Sequence, residues 1–302
     1  MNNKRRLFST LLCVAALTAG LFVSGCGSDK AGGIGSVVSS VVDGGSDEKA
    51  AAKLNTLIDA TNRFNGDNAT WGQNYADSLA KLKGGFQEGA IGRQPHYDTL
   101  KEALEQSKKE GSTFKEVDTE RDNVLNVLNE LVPTFKDLKA YDDSKAYMND
   151  SGAKGKELAA KYVAQVEKFD AAYAKFNDAL NKANTEQTKK QIEKLKKDGK
   201  KGYAAAMEST LRLTTLVENV EKAPRNADKQ AVEKELNEIQ TLLKSINNDR
   251  GEVLVNSYNS VVGSVRQVLN DANENNLNDM IENFNNYIES YNNTTPDQFD
   301  SK

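Results

Sequence analysis

The stretch LAAKYVAQVEKFDAAYAKFNDAL, residues 158–180, decides the fold class of this chain. Its large apolar side chains recur at alternating steps of three and four residues, which places them on one face of an α-helix. They are Leu158, Tyr162, Val166, Phe169, Tyr173, Phe176 and Leu180. At a rise of about 1.5 Å per residue, this face is more than about 30 Å long. The pattern therefore predicts one unbroken amphipathic helix that buries a single stripe.

Similar helical patterns occur on both sides of this stretch. They occupy residues 54–64, 95–109, 124–138, 203–217, 232–246, 254–268 and 277–291. No convincing period-two pattern of a β-strand is found, and the helical segments share no fixed repeat of roughly 30 to 50 residues that would indicate a solenoid. The sequence therefore predicts an all-α fold, an elongated antiparallel bundle of helices with short connections.

Two segments are expected to interrupt the helices. Residues 66–92 contain six glycines, and we predict a short helix near 71–83 followed by a loop. Pro133 lies inside the 124–138 pattern and is expected to kink or break that helix near Val132, because proline cannot donate the backbone hydrogen bond.

Two further segments are expected to leave the bundle. Residues 186–201 are highly charged, with Ile192 and Leu195 as their only apolar anchors, so we expect them to project into solvent. The polar tail from Asn292 onward is expected to fray.

The first 26 residues are typical of a bacterial lipoprotein signal. A basic start (Lys4, Arg5, Arg6) precedes an apolar stretch over residues 7–23, and Val23-Ser24-Gly25-Cys26 has the form of a lipobox. This predicts cleavage between Gly25 and Cys26 and attachment of lipid, including palmitate, to Cys26. A transmembrane helix is the alternative, but about 17 apolar residues interrupted by polar ones are at the lower limit for crossing a bilayer.

The predicted organisation is a signal peptide over 1–25, a lipidated cysteine and flexible Gly/Ser linker over 26–45, and a helical domain over 46–302. Whether that region is one elongated domain or two smaller ones is left open. We expect a lipid-anchored protein of the cell envelope. Because Gly27 rather than Asp follows the cysteine, the outer membrane is expected if the host has two membranes, and otherwise the outer face of the cell membrane.

Charge and cysteine content exclude several classes of protein. The chain has 40 basic and 44 acidic residues. Removal of the three basic residues of the signal leaves 37 against 44, a net charge of −7, which argues against a nucleic-acid partner. Cys13 would leave with the signal and the Cys26 sulfur would carry lipid, so no disulfide is expected.

Signatures of catalysis, cofactors and metals are weak. His96 is the only histidine, which excludes a multi-histidine metal site and leaves a Ser–His–Asp triad dependent on that one residue. The glycine cluster over residues 32–35 lies in the linker and lacks the form of a phosphate-binding loop. We therefore predict no catalytic residues, no cofactor and no metal.

Two groups of polar residues are candidates for binding. Tyr141 and Tyr147 bracket an acidic turn, and with Asp143 and Asp150 they are the speculative ligand contacts, although core packing of the tyrosines and solvated helix faces for the acids are the favoured explanations. The lysine-rich run Lys189–Lys201 is either a solvated face or a contact for anionic lipid or cell-wall polymer.

Three stretches resemble the YiiG-like family of uncharacterised bacterial lipoproteins. They are Lys53–Ile58, Leu138–Asp150 with the following Lys154–Leu158, and Tyr258-Asn259 together with Asn283–Tyr287. The resemblance spans about residues 46–291. It implies a helical, membrane-tethered domain and supplies no catalytic residues.

The sequence thus predicts a non-enzymatic envelope lipoprotein. Its partners would be the membrane, through the lipid on Cys26, and an envelope protein, a polymer or a small ligand. A carboxylate-dependent envelope hydrolase and a helical solute- or metal-capture protein are the alternatives.

Overall fold

The computed structural model describes residues 46–301, apart from Arg93, Ser112, Thr113 and the side chains of residues 46–50, 67–71 and 73. The predicted signal, Cys26 and the linker to residue 45 lie outside the described residues. Within them the backbone forms helices and no strand, which confirms the all-α prediction. The helices are α1 (Ser46–Lys83), α2 (Tyr97–Lys109), α3 (Lys115–Asp143), α4 (Tyr147–Asp150), α5 (Ala153–Lys197), α6 (Lys201–Lys222), α7 (Lys229–Lys244), α8 (Asp249–Asn270), α9 (Glu274–Asn292) and α10 (Pro296–Asp300).

The chain divides into two compact units. The first contains Lys49–Ala183 and the second contains Asn184–Lys302. The division falls within α5, so this helix supplies its first thirty-one residues, 153–183, to the first unit and the remainder to the second.

Aromatic side chains form the centre of the first unit. The ring centroid of Phe64 lies 5.9 Å from that of Tyr97, 5.8 Å from that of Phe169 and 5.3 Å from that of Tyr173. The α5 stripe predicted from the sequence is buried as expected, with Leu158 only partly covered. Because α5 presents one apolar face over this length, α1, α2 and α3 all pack in one core cluster with it.

The second unit contains antiparallel neighbours. The Tyr258 hydroxyl on α8 donates to the Leu236 carbonyl oxygen on α7 over 2.5 Å, and Arg266 of α8 binds Glu233 of α7 at 2.8 and 2.7 Å. The later residue of α8 contacts the earlier residue of α7, so the two helices run antiparallel. Short connections produce this arrangement, as expected.

Helix α1 is longer than predicted. It continues through Gly66 to Lys83, so the prediction of a separate short helix near 71–83 was wrong, whereas the loop after it is present. Gly66 is exposed, and a side chain there would meet nothing within 4 Å. A glycine in an exposed helix position costs about 1 kcal/mol, which the burial of Phe64 and Tyr75 on either side offsets.

Pro133 does not end its helix. α3 runs without interruption from Lys115 to Asp143, so the predicted break near Val132 was wrong. Leu131, Val132 and Leu138 are all buried, and this burial offsets the hydrogen bond that proline removes. The Thr134 hydroxyl also donates to the Glu130 carbonyl oxygen over 2.9 Å, beside the proline.

The charged segment 186–201 packs instead of projecting. Thr188, Ile192 and Leu195 are at most 5 % exposed, since α5 continues to Lys197 with one face covered. The Lys196 ammonium forms an ion pair with Glu208 of α6 at 2.8 Å. The buried face of Thr188, Ile192 and Leu195, together with this ion pair, therefore keeps the segment packed within the second unit.

The C-terminal tail is docked, so the prediction of fraying from Asn292 was wrong. Phe299 is 2 % exposed and stacks on Tyr203 and Tyr291, with centroids 5.8 and 5.9 Å away. The Asn248 amide donates to three tail carbonyl oxygens, and Asp300 accepts from the Gly202 N–H over 2.6 Å. One buried aromatic residue near the chain end explains the difference.

Among the described helices, none combines the length and the apolar character needed to cross a membrane.

Candidate functional site

A polar groove lies on the first unit, between the C-terminal part of α1 and the loop that follows it. Its volume is about 330 Å³. The α1 wall consists of Asn74, Asp77, Ser78 and Lys81, and the loop wall consists of Gly89, Ala90 and Gly92. The helix residues recur at steps of three and four, so they share one face of α1.

Ser78 holds the two walls together. Its hydroxyl donates to the Ala90 carbonyl oxygen over 2.7 Å and accepts from the Gly92 N–H over 2.9 Å. Glycine at position 92 suits this close approach, because a Cβ atom there would lie 3.1 Å from the Ser78 Cβ and the Ser78 side chain would have to shift. These two hydrogen bonds of Ser78 therefore fix the loop wall of the groove to the α1 wall.

A cluster of tyrosine hydroxyls lies behind the Ser78 wall. The Tyr75 and Tyr97 hydroxyls are 2.9 Å apart, and the Tyr162 hydroxyl binds the side-chain oxygen of Gln94. The Gln94 amide nitrogen in turn lies 3.4 Å from the Ser78 hydroxyl. Hydrogen bonds therefore connect the groove wall to the interior of the first unit.

The charge of the Asp170 carboxylate acts on all three hydroxyl groups of this tyrosine cluster. Burial raises the pKa values of Tyr75, Tyr97 and Tyr162, and the negative charge of Asp170 raises them further. Burial also raises the pKa of Asp170 itself from 3.8 to about 6. The nearby Lys83 opposes this rise and Glu167 adds to it, so Asp170 changes charge in the mildly acidic range.

Tyr141 and Asp150, two of the predicted ligand contacts, meet at the junction of α3, α4 and α5. The Tyr141 hydroxyl donates to Asp150 over 2.5 Å. The Asp150 carboxylate also accepts from the N–H groups of Gly152 and Lys154, at 3.0 and 3.1 Å, at the start of α5. These bonds lower the pKa of Asp150, the Tyr141 bond most. The arrangement caps α5, and ligand binding by these residues stays a prediction.

Tyr147 and Asp143 are not part of that contact. The Tyr147 ring packs 5.8 Å from Phe86, and a hydrogen bond to the Glu88 carboxylate raises the pKa of Tyr147 to about 12. Asp143 is exposed and pairs with Lys139 of its own helix at 2.8 Å. Of the four residues, Tyr141 and Asp150 bond to each other, and Tyr141 and Tyr147 both pack against the Phe86 ring, with centroids 5.2 and 5.8 Å away.

The remaining sequence candidates are distributed elsewhere. His96 lies directly before α2 and makes no capping bond through its side chain. In the lysine-rich run, Lys189 pairs with Glu186, Lys196 with Glu193 and Glu208, and Lys200 with Asp297. In the described part of the chain, no group of three or more histidine, cysteine, aspartate or glutamate side chains could hold a metal ion.

Sequence reasoning missed the groove and Asp170. The available signal was a polar face at positions 74, 77, 78 and 81 of a helix that is followed by a glycine-rich loop. The bonds from Ser78 to Gly92 and from Tyr162 to Gln94 join distant residues, so no local pattern indicates them.

These features define the class of the protein as all-α, with two compact helical units and a polar groove on the first. The chain belongs to the family described as "Protein of unknown function (DUF3829)", which matches residues 48–283. Comparison with curated proteins found no match, and comparison with solved structures found none either.

Proposed function

We propose that this protein is a lipid-anchored, non-enzymatic binding protein of the cell envelope. Within the family of unknown function, we place it with the YiiG-like lipoproteins, on the sequence stretches quoted above. Its helical body would bind its ligand on the first unit, and the lipid on Cys26 would hold that body at the membrane.

The groove of the first unit is the main support for a binding role. Its walls are fixed by the Ser78 bonds to Ala90 and Gly92, while Asn74, Asp77 and Lys81 remain exposed to solvent. A surface with preformed walls and accessible polar groups binds a ligand with little reorganisation.

The groove chemistry favours binding over hydrolysis. Hydrolysis by two carboxylates requires an acid and a base on opposite sides of the reacting bond. Among the described residues that line this groove, Asp77 is the only carboxylate. Asp170, whose pKa is raised, belongs to the tyrosine cluster behind the wall.

The anchoring role depends on Cys26 and is tested by labelling cells with radioactive or alkyne-tagged palmitate. The wild-type protein is expected to incorporate label, to lose residues 1–25, and to partition into the detergent phase. The variant Cys26→Ser should do none of these, whereas Cys13→Ser should behave like wild type. A Cys26→Ser protein that is still processed and lipidated would contradict the proposal.

A further inference from the structure

We propose that the site on the second unit which holds the C-terminal tail also accepts the tail of a second copy of this chain, so that two copies are joined through α10. The ligand is a peptide segment in which an aromatic residue is followed directly by an acidic one, as in Phe299-Asp300. The inference concerns the second unit and does not depend on the groove of the first. The tail site consists of four residues that contact the tail: Gly202, Tyr203, Asn248 and Tyr291.

The tail site has a pocket for one aromatic ring. The buried ring of Phe299 is stacked on Tyr203, at the start of α6, with an interplanar angle of 13°. It is also stacked on Tyr291, near the end of α9, with an angle of 28°. Stacked rings attract each other beyond the gain from burying their area. The pocket therefore favours an aromatic residue over an aliphatic one.

The start of α6 provides the position for the acidic residue. Lys200, which precedes this helix, makes no capping bond through its side chain. The Asp300 carboxylate instead accepts from the N–H groups of Gly202 and Tyr203, at 2.6 and 3.4 Å. The first N–H groups of a helix lack partners within the helix, and the helix dipole favours a negative charge there. The tail thus supplies the cap that the sequence before α6 does not.

Asn248 binds the backbone of the tail. Its amide nitrogen lies 3.1, 3.1 and 2.9 Å from three carbonyl oxygens of the tail. Its amide oxygen accepts from the N–H groups of Arg250 and Gly251, both at 3.1 Å, and so caps α8. Because the α8 cap orients this side chain without help from the tail, the donor stays in place when the tail leaves.

The tail is also ordered by bonds of its own. The Thr295 N–H donates to the side-chain oxygen of Gln298 over 2.8 Å, as part of a capping box at the start of α10. Pro296 occupies the first turn of this helix, where its fixed φ angle suits the helix. Since the site and the segment are each ordered separately, the segment can bind from another molecule with little reorganisation.

A second copy is the occupant because it carries the identical segment. Each contact of the tail within one molecule can form between two copies, with a change of conformation only in residues 293–295, which connect α9 to α10. Exchange of an identical element is a low-cost route to a dimer. The tail of the same molecule competes at an effective concentration of the order of millimolar. Wild-type protein should therefore be mainly monomeric at micromolar concentration.

The test mixes two full-length variants, each defective in one half of the contact. Phe299→Ala keeps the tail site but removes the ring of the tail. Gly202→Ala keeps the tail but blocks the site, because a Cβ atom at position 202 would overlap the Phe299 carbonyl oxygen. Native mass spectrometry at micromolar concentration separates the species by mass. Each variant alone should be monomeric, whereas the mixture should contain a heterodimer, at least about tenfold more than a mixture of Phe299→Ala with wild type.

Two further variants decide whether the heterodimer uses the tail site. Gly263→Ala is the matched control for Gly202→Ala, because a Cβ atom at this position of α8 would meet nothing within 4 Å. Mixed with Phe299→Ala, it should form no more heterodimer than wild type does. Asn248→Asp, added to the Phe299→Ala chain, keeps an oxygen that caps α8 but loses the donors to the tail. It should lower the amount of heterodimer at least about tenfold.

A peptide tests recognition of the segment without a second folded copy. A fluorescent peptide with the sequence of residues 293–302 should bind the Phe299→Ala protein at least about tenfold more tightly than wild type, whose site is filled by its own tail. Replacement of the phenylalanine in the peptide by alanine should abolish binding. Fluorescence anisotropy measures both affinities.

Circular dichroism first confirms that each variant keeps its helices. If Phe299→Ala does not, Asp300→Lys replaces it, because a positive charge is unfavourable at the start of α6. Three results would overturn the inference: no heterodimer and no peptide binding with a folded tail variant, a heterodimer that Asn248→Asp leaves unchanged, or as much heterodimer with Gly263→Ala as with Gly202→Ala.

Discussion

The two units of this molecule use aromatic and polar groups differently. In the first, Phe64, Tyr97, Phe169 and Tyr173 form a continuous group of ring contacts. In the described part of the second, both ring pairs involve Phe299 of the tail. Tyr258, Phe284 and Tyr287 are also buried in this unit, and aliphatic side chains surround them in its interior, among them Leu213, Val217, Ile239, Leu243, Val261 and Val265.

The polar groups follow the same division. In the second unit they join one helix to another, as in the Thr210–Tyr287 contact at 3.1 Å and the Arg212–Glu235 pair at 2.6 Å. In the first unit, the tyrosine hydroxyls meet one another and connect through Gln94 to the wall of an open groove. The comparison indicates that the polar groups of the second unit join its helices to one another, whereas the first unit exposes part of its polar network at an open groove.

The largest expected effect comes from breaking the aromatic group of the first unit. Phe64→Ala removes three ring contacts and should lower the free energy of unfolding of this unit by about 4 kcal/mol. Hydrogen–deuterium exchange with mass spectrometry should show faster exchange in residues 49–183 and little change in residues 201–292. Phe64→Leu, which keeps most of the buried volume, should cost far less. A uniform response of both units would contradict their description as separate cores.

The second largest effect tests the docked tail. Phe299→Ala removes the ring between Tyr203 and Tyr291 and should destabilise the second unit by about 3 kcal/mol. Exchange should accelerate at residues 201–203 and 294–301. The control Asp297→Asn removes only the exposed pair with Lys200, which is worth less than about 1 kcal/mol. Unchanged exchange in Phe299→Ala would show that the tail is not held by its ring.

The third prediction concerns Asp170 and pH. A pKa raised from 3.8 to about 6 means that the folded protein binds more protons than the unfolded chain between these values. The first unit should therefore lose stability as the pH rises from about 4 to about 6, and change little above that range. The full difference corresponds to about 3 kcal/mol, reduced to about 2 kcal/mol by partial exposure.

Asp170→Asn checks this by urea unfolding at pH 4.5 and 7.5. The variant should stabilise the first unit at pH 7.5 by up to about 2 kcal/mol and flatten the pH dependence of its unfolding. Asp178→Asn, an exposed carboxylate two turns further along α5, is the matched control and should retain the wild-type profile. A wild-type first unit that gains stability between pH 4.5 and 6 would contradict the assigned direction.

The smallest expected effect on stability concerns Lys145, which follows the C-terminal end of α3 in the first unit. Lys145 adopts a φ angle of 53°, and its N–H and that of Ala146 bond back to Asp142 and Tyr141 at 2.9 and 3.2 Å. This is a Schellman arrangement, which usually places glycine at the left-handed position. Lys145→Gly should raise the stability of the first unit by about 0.5–1 kcal/mol.

Lys136→Gly provides a control of opposite sign for that prediction. Lys136 is exposed in the interior of the same helix, where glycine should destabilise by about 1 kcal/mol. Thermal unfolding of the two variants should shift in opposite directions. A shift to lower temperature in both would show that the junction conformation of Lys145 is not strained.

The helices could be predicted from the sequence because each has its own apolar stripe. The buried stripe of α5 between Tyr162 and Leu180 follows directly from residue spacing. The continuation of α1 through Gly66 and of α3 through Pro133 could not be predicted, because local propensity disfavours a helix at both residues and the burial of residues on either side outweighs it. The docked tail depends on Phe299 meeting Tyr203, nearly one hundred residues away in the sequence.

The candidate site was predictable only in part. A polar face of α1 and a glycine-rich loop are both visible in the sequence, yet the hydrogen bonds of Ser78 decide that they face each other. Conversely, Tyr141 and Asp150 did come together, but the start of α5 uses the Asp150 carboxylate as a cap. The pattern of a single sequence indicates which residues share a helix face. It does not indicate which other element packs against that face, because the tertiary fold decides this.

Hydrogen–deuterium exchange of the full-length protein and of its Ser78→Ala variant tests the central claim most directly, namely that the first unit has a groove whose two walls are joined by Ser78. We predict faster exchange of the variant in peptides that cover residues 86–94, because the bonds to Ala90 and Gly92 are lost, and no change in residues 201–301. Unchanged exchange at residues 86–94, or a change confined to the second unit, would contradict the account.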